Sequence, residues 1–148
     1  MIRVKKLEYF DVKELEDLVK RCFPNDSRLD ESEYQSKSNN KHLYVAIDTE
    51  TKKMVGFGIL SVNPGFRIAR LTLGGVDPKY RGQGIHKKLI KARLKKAKEL
   101  KLKSVSTYTM SYNYKSANNL IACGFRIYIP KNDPNPSKYL NLRYLLEK

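Results

Sequence analysis

The sequence predicts a mixed α/β fold of one domain, an antiparallel β meander followed by β-α-β-α-β-β. Three observations predict it. Three apolar segments separated by turn signals succeed one another between His42 and Val76. The apolar spacing then changes from strand-like to helix-like over Ile85 to Leu100. Finally, 148 residues suit one domain built on one hydrophobic core, spanning 1–148.

The elements follow in order. Ile2 to Tyr9 alternates well enough for a strand. Asp11 can cap a helix, with Glu14 three residues on as the reciprocal partner. That helix carries Val12, Leu15, Leu18, Val19 and Cys22 on one face, and Pro24 marks its end. Residues 25–41 are polar, with a short helix expected around Glu31 to Lys37. The meander strands are His42 to Asp48, Met54 to Val62 and Phe66 to Val76, with turns at Asp48 to Lys53 and at Asn63-Pro64-Gly65.

A loop from Asp77 to Gly84 leads into the long helix, whose apolar stripe is Ile85, Leu89, Ile90, Ala92, Leu94 and Ala97, with Lys and Arg elsewhere. Because this helix crosses between two strands, those strands are expected to lie parallel. Ser104 to Met110 is a strand. Tyr114 to Cys123 is a short helix closed by Gly124. Phe125 to Ile129 and Tyr139 to Leu146 are the last strands, joined by a loop from Pro130 to Pro136 containing three prolines.

Composition narrows the function classes. The hydrophobic fraction is 41%, enough for a globular core, and charged residues make up 30%. The N-terminal residues lack the apolar core of a signal peptide, and no stretch approaches the ~20 apolar residues of a membrane span. A soluble, cytoplasmic protein with no membrane partner is expected. Two cysteines, Cys22 and Cys123, are too few for a disulfide framework or a zinc site. No metal is expected, and both thiols are read as buried and reduced.

The formal net charge is +15, and residues 79–103 hold eleven Lys or Arg against one acid, Glu99. Such a field attracts anions: nucleic acid, an acidic protein or a polyphosphate cofactor. It disfavours polycationic acceptors.

The chemistry gathers at Arg81-Gly82-Gln83-Gly84-Ile85-His86. A strand, a short glycine-rich loop and a helix start follow one another here. The helix start offers unpaired N–H groups and a positive dipole end. Gly82 and Gly84 let backbone approach a ligand, and Arg81 adds a fixed positive charge. Together they suit a pyrophosphate. The P-loop and dinucleotide fingerprints are absent.

The string from Leu73 to Leu89, with Val76-Asp77-Pro78-Lys79-Tyr80 leading into Arg81-Gly82-Gln83-Gly84, closely resembles the acetyl-CoA-binding motif of the GNAT superfamily of N-acetyltransferases. That motif is Arg/Gln-x-x-Gly-x-Gly/Ala after a strand and Val-x-Pro-x-Tyr. Asn113-x-x-Ser116 with Gly124-Phe125 resembles the family's second motif. The element order matches over nearly the whole chain.

The resemblance implies a GNAT-like fold with a central splayed strand pair. It also implies acetyl-CoA as co-substrate and transfer of the acetyl group to a primary amine. The backbone of Gly74, Gly75 and Val76 would pair with the pantetheine arm as an extra strand does. An N–H at Gly74 or Gly75 would polarise the acetyl carbonyl. The Gly-Gly pair also suits the bulge that splays the strands. The N–H groups of Arg81, Gly82, Gln83, Gly84, Ile85 and His86 would hold the pyrophosphate. Asn113 would bond the pantetheine arm, with Ser116 nearby.

Three positions depart from the family pattern. His86 stands where the motif ends in Gly or Ala, so its ring lies beside the phosphates. It can point away, donate a hydrogen bond or act as a cation, which would make affinity pH-dependent near its ordinary pKa of ~6.5. Leu120 stands where many members carry a Tyr that protonates the departing thiolate; Tyr108, Tyr112, Tyr114 or water are the substitutes. Arg70 stands where histone-type members carry a Glu, which leaves Glu31, Glu33 or a water chain to take the ammonium proton. No catalytic residue is therefore named.

Two functions follow. One is an acetyl-CoA-dependent N-acetyltransferase acting on a small-molecule or protein amine as a monomer or homodimer. The other is a basic module binding nucleic acid or protein on the same fold, with little turnover. Lys87, Lys88, Lys91, Arg93, Lys95, Lys96 and Lys98, crowded on one helix, suit the cofactor's 3′-phosphate, nucleic acid or plain solvation.

Overall fold

Seven strands form one sheet in the order β1-β2-β3-β4-β5-β7-β6 in the computed structural model, which describes residues 1–7, 12–24, 40–133 and 138–147. The strands are β1 (Ile2–Lys6), β2 (Lys41–Asp48), β3 (Lys53–Asn63), β4 (Ile68–Val76), β5 (Ser104–Met110), β6 (Arg126–Ile127) and β7 (Tyr139–Leu145). The helices among the described residues are α1 (Val12–Cys22), α2 (Ile85–Glu99) and α3 (Tyr114–Ala122). The expected short helix around Glu31 to Lys37, the Asp11 cap and residues 134–136 of the Pro130 to Pro136 loop lie outside the described residues.

The meander forms as its alternation requires, and β4 and β5 are parallel because α2 crosses between them. Four strands are shorter than expected: β1 ends at Lys6 rather than Tyr9, β7 ends at Leu145 rather than Leu146, and β4 and β6 are also cut back. β4 starts at Ile68, because Arg67 is left-handed at φ 55° and closes the preceding turn. β6 keeps only two residues, Arg126 and Ile127, paired with Arg143 and Leu142 of β7.

The faces of the sheet are covered differently. On one, Leu15 and Leu18 of α1 pack with Val45, Phe57 and Ile59. On the other, Ile90 and Leu94 of α2 pack with Leu60, Leu71, Val105, Phe125 and Leu142. Phe57 and Phe125 are fully buried, one on each side, and each contributes about 2–3 kcal/mol of apolar burial. Glu14 accepts from the Met54 N–H at 3.1 Å, which fixes α1 to β3.

Three details open the sheet. β4 and β5 pair only at Ile68–Ser104, Ala69–Val105 and Arg70–Ser106. Beyond Arg70 no described strand takes the β5-facing edge of β4. The cause lies on the other edge, where Gly58 pairs with Gly74 but Leu60 pairs with Leu71, so Thr72 and Leu73 oppose Ile59 alone. This bulge bends β4 away from β5. It lies just before Gly74-Gly75 rather than on that pair, which sits back in the ladder opposite Gly58 and Phe57.

The stripe of α2 also differs from expectation. Arg93 is 3% exposed and belongs to the buried face, one turn beyond Leu89, so it is not part of the basic surface. Of the cysteines, Cys22 is buried and Cys123 only half-buried; both are free thiols. No helix among the described residues is long and apolar enough to cross a membrane.

Candidate active site

Asp77 organises the turn between β4 and α2. Its N–H donates to the Val55 carbonyl at 2.8 Å, extending the β3–β4 ladder by one bond. Its carboxylate accepts from the Lys79 N–H at 3.0 Å and from Arg21 Nε at 2.8 Å. Burial pushes the carboxyl pKa up, but these two bonds and the Arg21 charge outweigh it, leaving the pKa below the usual value. The capped residues Pro78–Tyr80 form one 3-10 turn. Tyr80 closes it from outside, donating its hydroxyl to Asp48 at 2.8 Å.

The chain then needs two left-handed residues. Gly82 has φ 82° and Gly84 φ 78°, and no atom lies within 4 Å of where either Cβ would sit. Glycine is thus required there by backbone conformation, and the space beside it is open. Gly84 is the N-cap of α2 and supplies no side-chain hydrogen bond. The first N–H groups of a 15-residue helix therefore face the opening uncapped. Arg81 turns back, donating from Nε to the Val76 carbonyl at 3.2 Å and from Nη2 to the Cys22 carbonyl at 3.5 Å. Its charge is fixed at the loop by these bonds.

A cleft of about 680 Å³ lies between this loop, the end of β4 and the start of α3. Gly74, Gly75, Val76, Arg81, Gly82 and Gly84 line it on the β4 side. Ile85 and His86 from α2 complete that wall, and Asn113 and Ser116 stand across from it. Of the residues expected from sequence to hold the co-substrate's pyrophosphate and pantetheine, only Gln83 is outside the lining. Asn113 is the N-cap of α3, and its Oδ1 accepts from the Ser116 N–H at 3.2 Å. Lys87, read from sequence with the basic helix, also lines the cleft, as do five residues the sequence reading passed over: Phe23, Tyr80, Lys115, Asn118 and Asn119. Spacing gives no signal for these except Tyr80, which lies within the first motif.

The departures resolve as follows. His86 Nδ1 lies 3.1 Å from Asn119 Nδ2. Burial, with a smaller push from the Arg93 charge, lowers its pKa to about 4. With no anion beside it the ring is neutral at physiological pH, and it does not face solvent freely. Asn119 can donate only to an unprotonated Nδ1, which leaves the proton on Nε2.

Leu120 is 4% exposed and packs in the α2 side core, away from the cleft. Tyr108, Tyr112 and Tyr114 are all more than half exposed, and none lines the cleft. Arg70 occupies the last β4–β5 rung. Glu31 and Glu33 lie outside the described residues. No group of three or more potential metal ligands occurs among the described residues.

Fold and cleft together place a glycine-rich turn and an uncapped helix start beside a splayed strand pair. Residues 12–125 match the family model described as the acetyltransferase (GNAT) family, and the chain belongs to that family. It is accordingly an acetyl-CoA-dependent acyltransferase. The ribosomal-protein-S18-alanine N-acetyltransferase of Escherichia coli superposes with a TM-score of 0.80 at 17% identity, covering 100% of this chain and 96% of that one. A GNAT family acetyltransferase from Staphylococcus aureus gives 0.79 at 18% identity, over 99% and 100%. A Bacillus subtilis acetyltransferase in complex with CoA gives 0.74 at 19%, over 99% of both chains. At these identities the likeness is one of fold. No curated protein sequence matches the chain.

Proposed function

We propose that this chain is a single-domain, cytoplasmic N-acetyltransferase that moves the acetyl group of acetyl-CoA directly to a primary amine while both are bound. The observation that carries the reading is the cleft itself: an uncapped helix N-terminus, two left-handed glycines and an unpaired strand edge meet in one opening. Each part suits one part of the co-substrate. The N–H groups from Arg81 to His86 suit the pyrophosphate, and the Arg81 charge adds to their field. The free edge of Gly74, Gly75 and Val76 suits the amide groups of pantetheine. Asn113 retains its Nδ2 donors for the same arm, beside Ser116, because only Oδ1 is used in its cap.

Bound acetyl-CoA supplies an activated thioester carbonyl. The acceptor nitrogen, as a free amine, attacks that carbon; the N–C bond forms, the C–S bond breaks, the nitrogen gives up one proton to water, and the thiolate leaves and takes up one. The Gly74 or Gly75 N–H beside the bulge is the donor for the carbonyl oxygen, where negative charge develops. With Leu120 in the core and Tyr80 committed to Asp48, water is the donor to the thiolate in this reading.

Calorimetry with acetyl-CoA, with CoA and ATP as controls, tests the site. Micromolar binding is expected, weakened at least tenfold in Arg81→Ala and in Gly84→Trp, whose side chain fills the open space beside the turn. Thiol release on adding amines then reads transfer. A folded sample that binds no acetyl-CoA overturns the proposal and makes nucleic acid the next ligand to test.

A further inference from the structure

We infer that the acceptor is an anionic amine, carrying a carboxylate or phosphate close to the nitrogen, and that Arg70 and Arg143 hold that group. The inference rests on the acetyl-transfer reading above and names the substrate class of the same site.

The register places the two arginines. Residues paired across a ladder project to the same face of a sheet. Ser61 pairs with Arg70, Arg70 with Ser106, Ser106 with Arg143, and Arg143 with Arg126. One transverse row thus crosses β3, β4, β5, β7 and β6. Its neighbours in sequence, Leu60, Ala69, Leu71, Val105 and Leu142, are buried under α2 and α3. The row therefore lies on the face opposite those helices. There α1 packs against β3 and β4. Arg70, Arg143 and Arg126 are exposed.

The row lies at the closed end of the gap between β4 and β5. Arg70–Ser106 is the last rung before β4 and β5 part. On the helix face this point is closed by core side chains, so an amine reaching the apex of the gap arrives across the row. Arg70 and Arg143 stand two strand spacings apart, about 10 Å between backbones, with the Ser106 hydroxyl between them. Two guanidinium groups at that separation can converge on one carboxylate or phosphate, to which the planar donor fork is suited.

The row is also held in place and uncompensated. The Arg70 guanidinium lies 5.7 Å from the Tyr108 ring centre, and that of Arg143 lies 4.7 Å from the Tyr128 ring centre. Tyr108 is fixed in turn, edge-on to Tyr139 at 5.1 Å. Arg126 donates to the Phe125 carbonyl at 3.0 Å. None of the three arginines has a carboxylate within ion-pair distance among the described residues. The acid nearest in register, Asp133, accepts from Asn141 at 3.4 Å, one row along β7. Aromatic faces preorganise two cations for which the described residues supply no counter-charge.

The test uses matched acceptors and the full chain. Phenylalanine is compared with phenylalaninamide, and phosphoethanolamine with ethanolamine, by thiol release at saturating acetyl-CoA. A preference of tenfold or more in kcat/KM for the anionic member of at least one pair is expected, and which pair shows it separates carboxylate from phosphate. Arg70→Gln and Arg143→Gln should each remove most of that preference, mainly through KM, with acetyl-CoA affinity unchanged; Arg70→Lys should retain part of it. Equal use of the charged and neutral members, preference surviving both Gln variants, or failure of every anionic amine to react overturns the assignment. Loss of acetyl-CoA binding by the unaltered chain would instead overturn the site.

Discussion

Arg93 Nη1 donates to the carbonyl of Ile59 at 3.3 Å, and Ile59 is the residue that faces the bulge alone. The same side chain donates from Nε to the Leu89 carbonyl at 3.1 Å. Burial pushes its pKa down to about 10, so it stays charged at neutral pH without a carboxylate partner among the described residues. Room for it comes from glycine: a Cβ on Gly58 would sit 2.7 Å from Arg93 Cζ. The guanidinium thus props the bulge from beneath and takes the acceptor that the broken ladder leaves over.

Gly58→Ala should cost about 1–3 kcal/mol, the range for forcing extra atoms into a packed interior. Arg93→Met vacates that space, so in the double variant the two effects should not add. Urea unfolding of the cycle should show a coupling of at least ~0.5 kcal/mol. Additive behaviour would mean that the guanidinium leaves this position.

His86 should make the protein acid-labile. Its pKa is about 4 in the folded chain and near ~6.5 when unfolded, so between those values only the unfolded chain takes up the proton. Stability is full above the unfolded value and falls as the pH drops toward 4, by up to about 3 kcal/mol at this half-buried site. Unfolding free energies from pH 7 to pH 4 should fall less steeply in His86→Gln. Acetyl-CoA affinity between pH 6 and 8 should show no step that His86→Gln removes.

Gly84 can be tested without touching charge. Its left-handed φ costs a β-branched residue about 1–2 kcal/mol, whereas Asn visits this region readily. Gly84→Val should lower the unfolding midpoint and Gly84→Asn much less. Equal losses would point to crowding by neighbours rather than to backbone conformation.

Asp77→Ala removes the acceptor for the Lys79 N–H and for Arg21 at once. A loss of about 1–3 kcal/mol is expected, within the range for leaving buried donors unpaired. Because the Asp77 pKa lies below the usual value, its stabilisation is present above that value and lost as the acid is protonated. The Ala variant should therefore lose less stability than the parent as the pH falls below ~4.

Much of this was legible in the sequence, for local reasons. Helix α2 announced itself by spacing over four turns, and the meander by its turn residues. The loop from Asp77 to Gly84 could be read because a left-handed turn into a helix admits few residue types. Arg93 was misplaced because residue type argued for the surface while its spacing, four after Leu89, argued for the core. Only the β3–β4 register brings Gly58 and Gly74 together as the space it fills. Register also moved the bulge ahead of Gly74, and it aligned Arg70 with Arg143, 73 residues apart in the chain. His86 could not be judged until α3 set Asn119 beside it.

The parting of β4 from β5 has a kinetic consequence. It is built into the connectivity, through an extra residue on one edge and a wedge beneath it, so the gap exists before any ligand arrives. The work of separating two strands is done once, during folding, and is not repeated at each encounter. The rate at which this site fills is then governed by diffusion through a strongly positive field, and it should slow as salt screens that field.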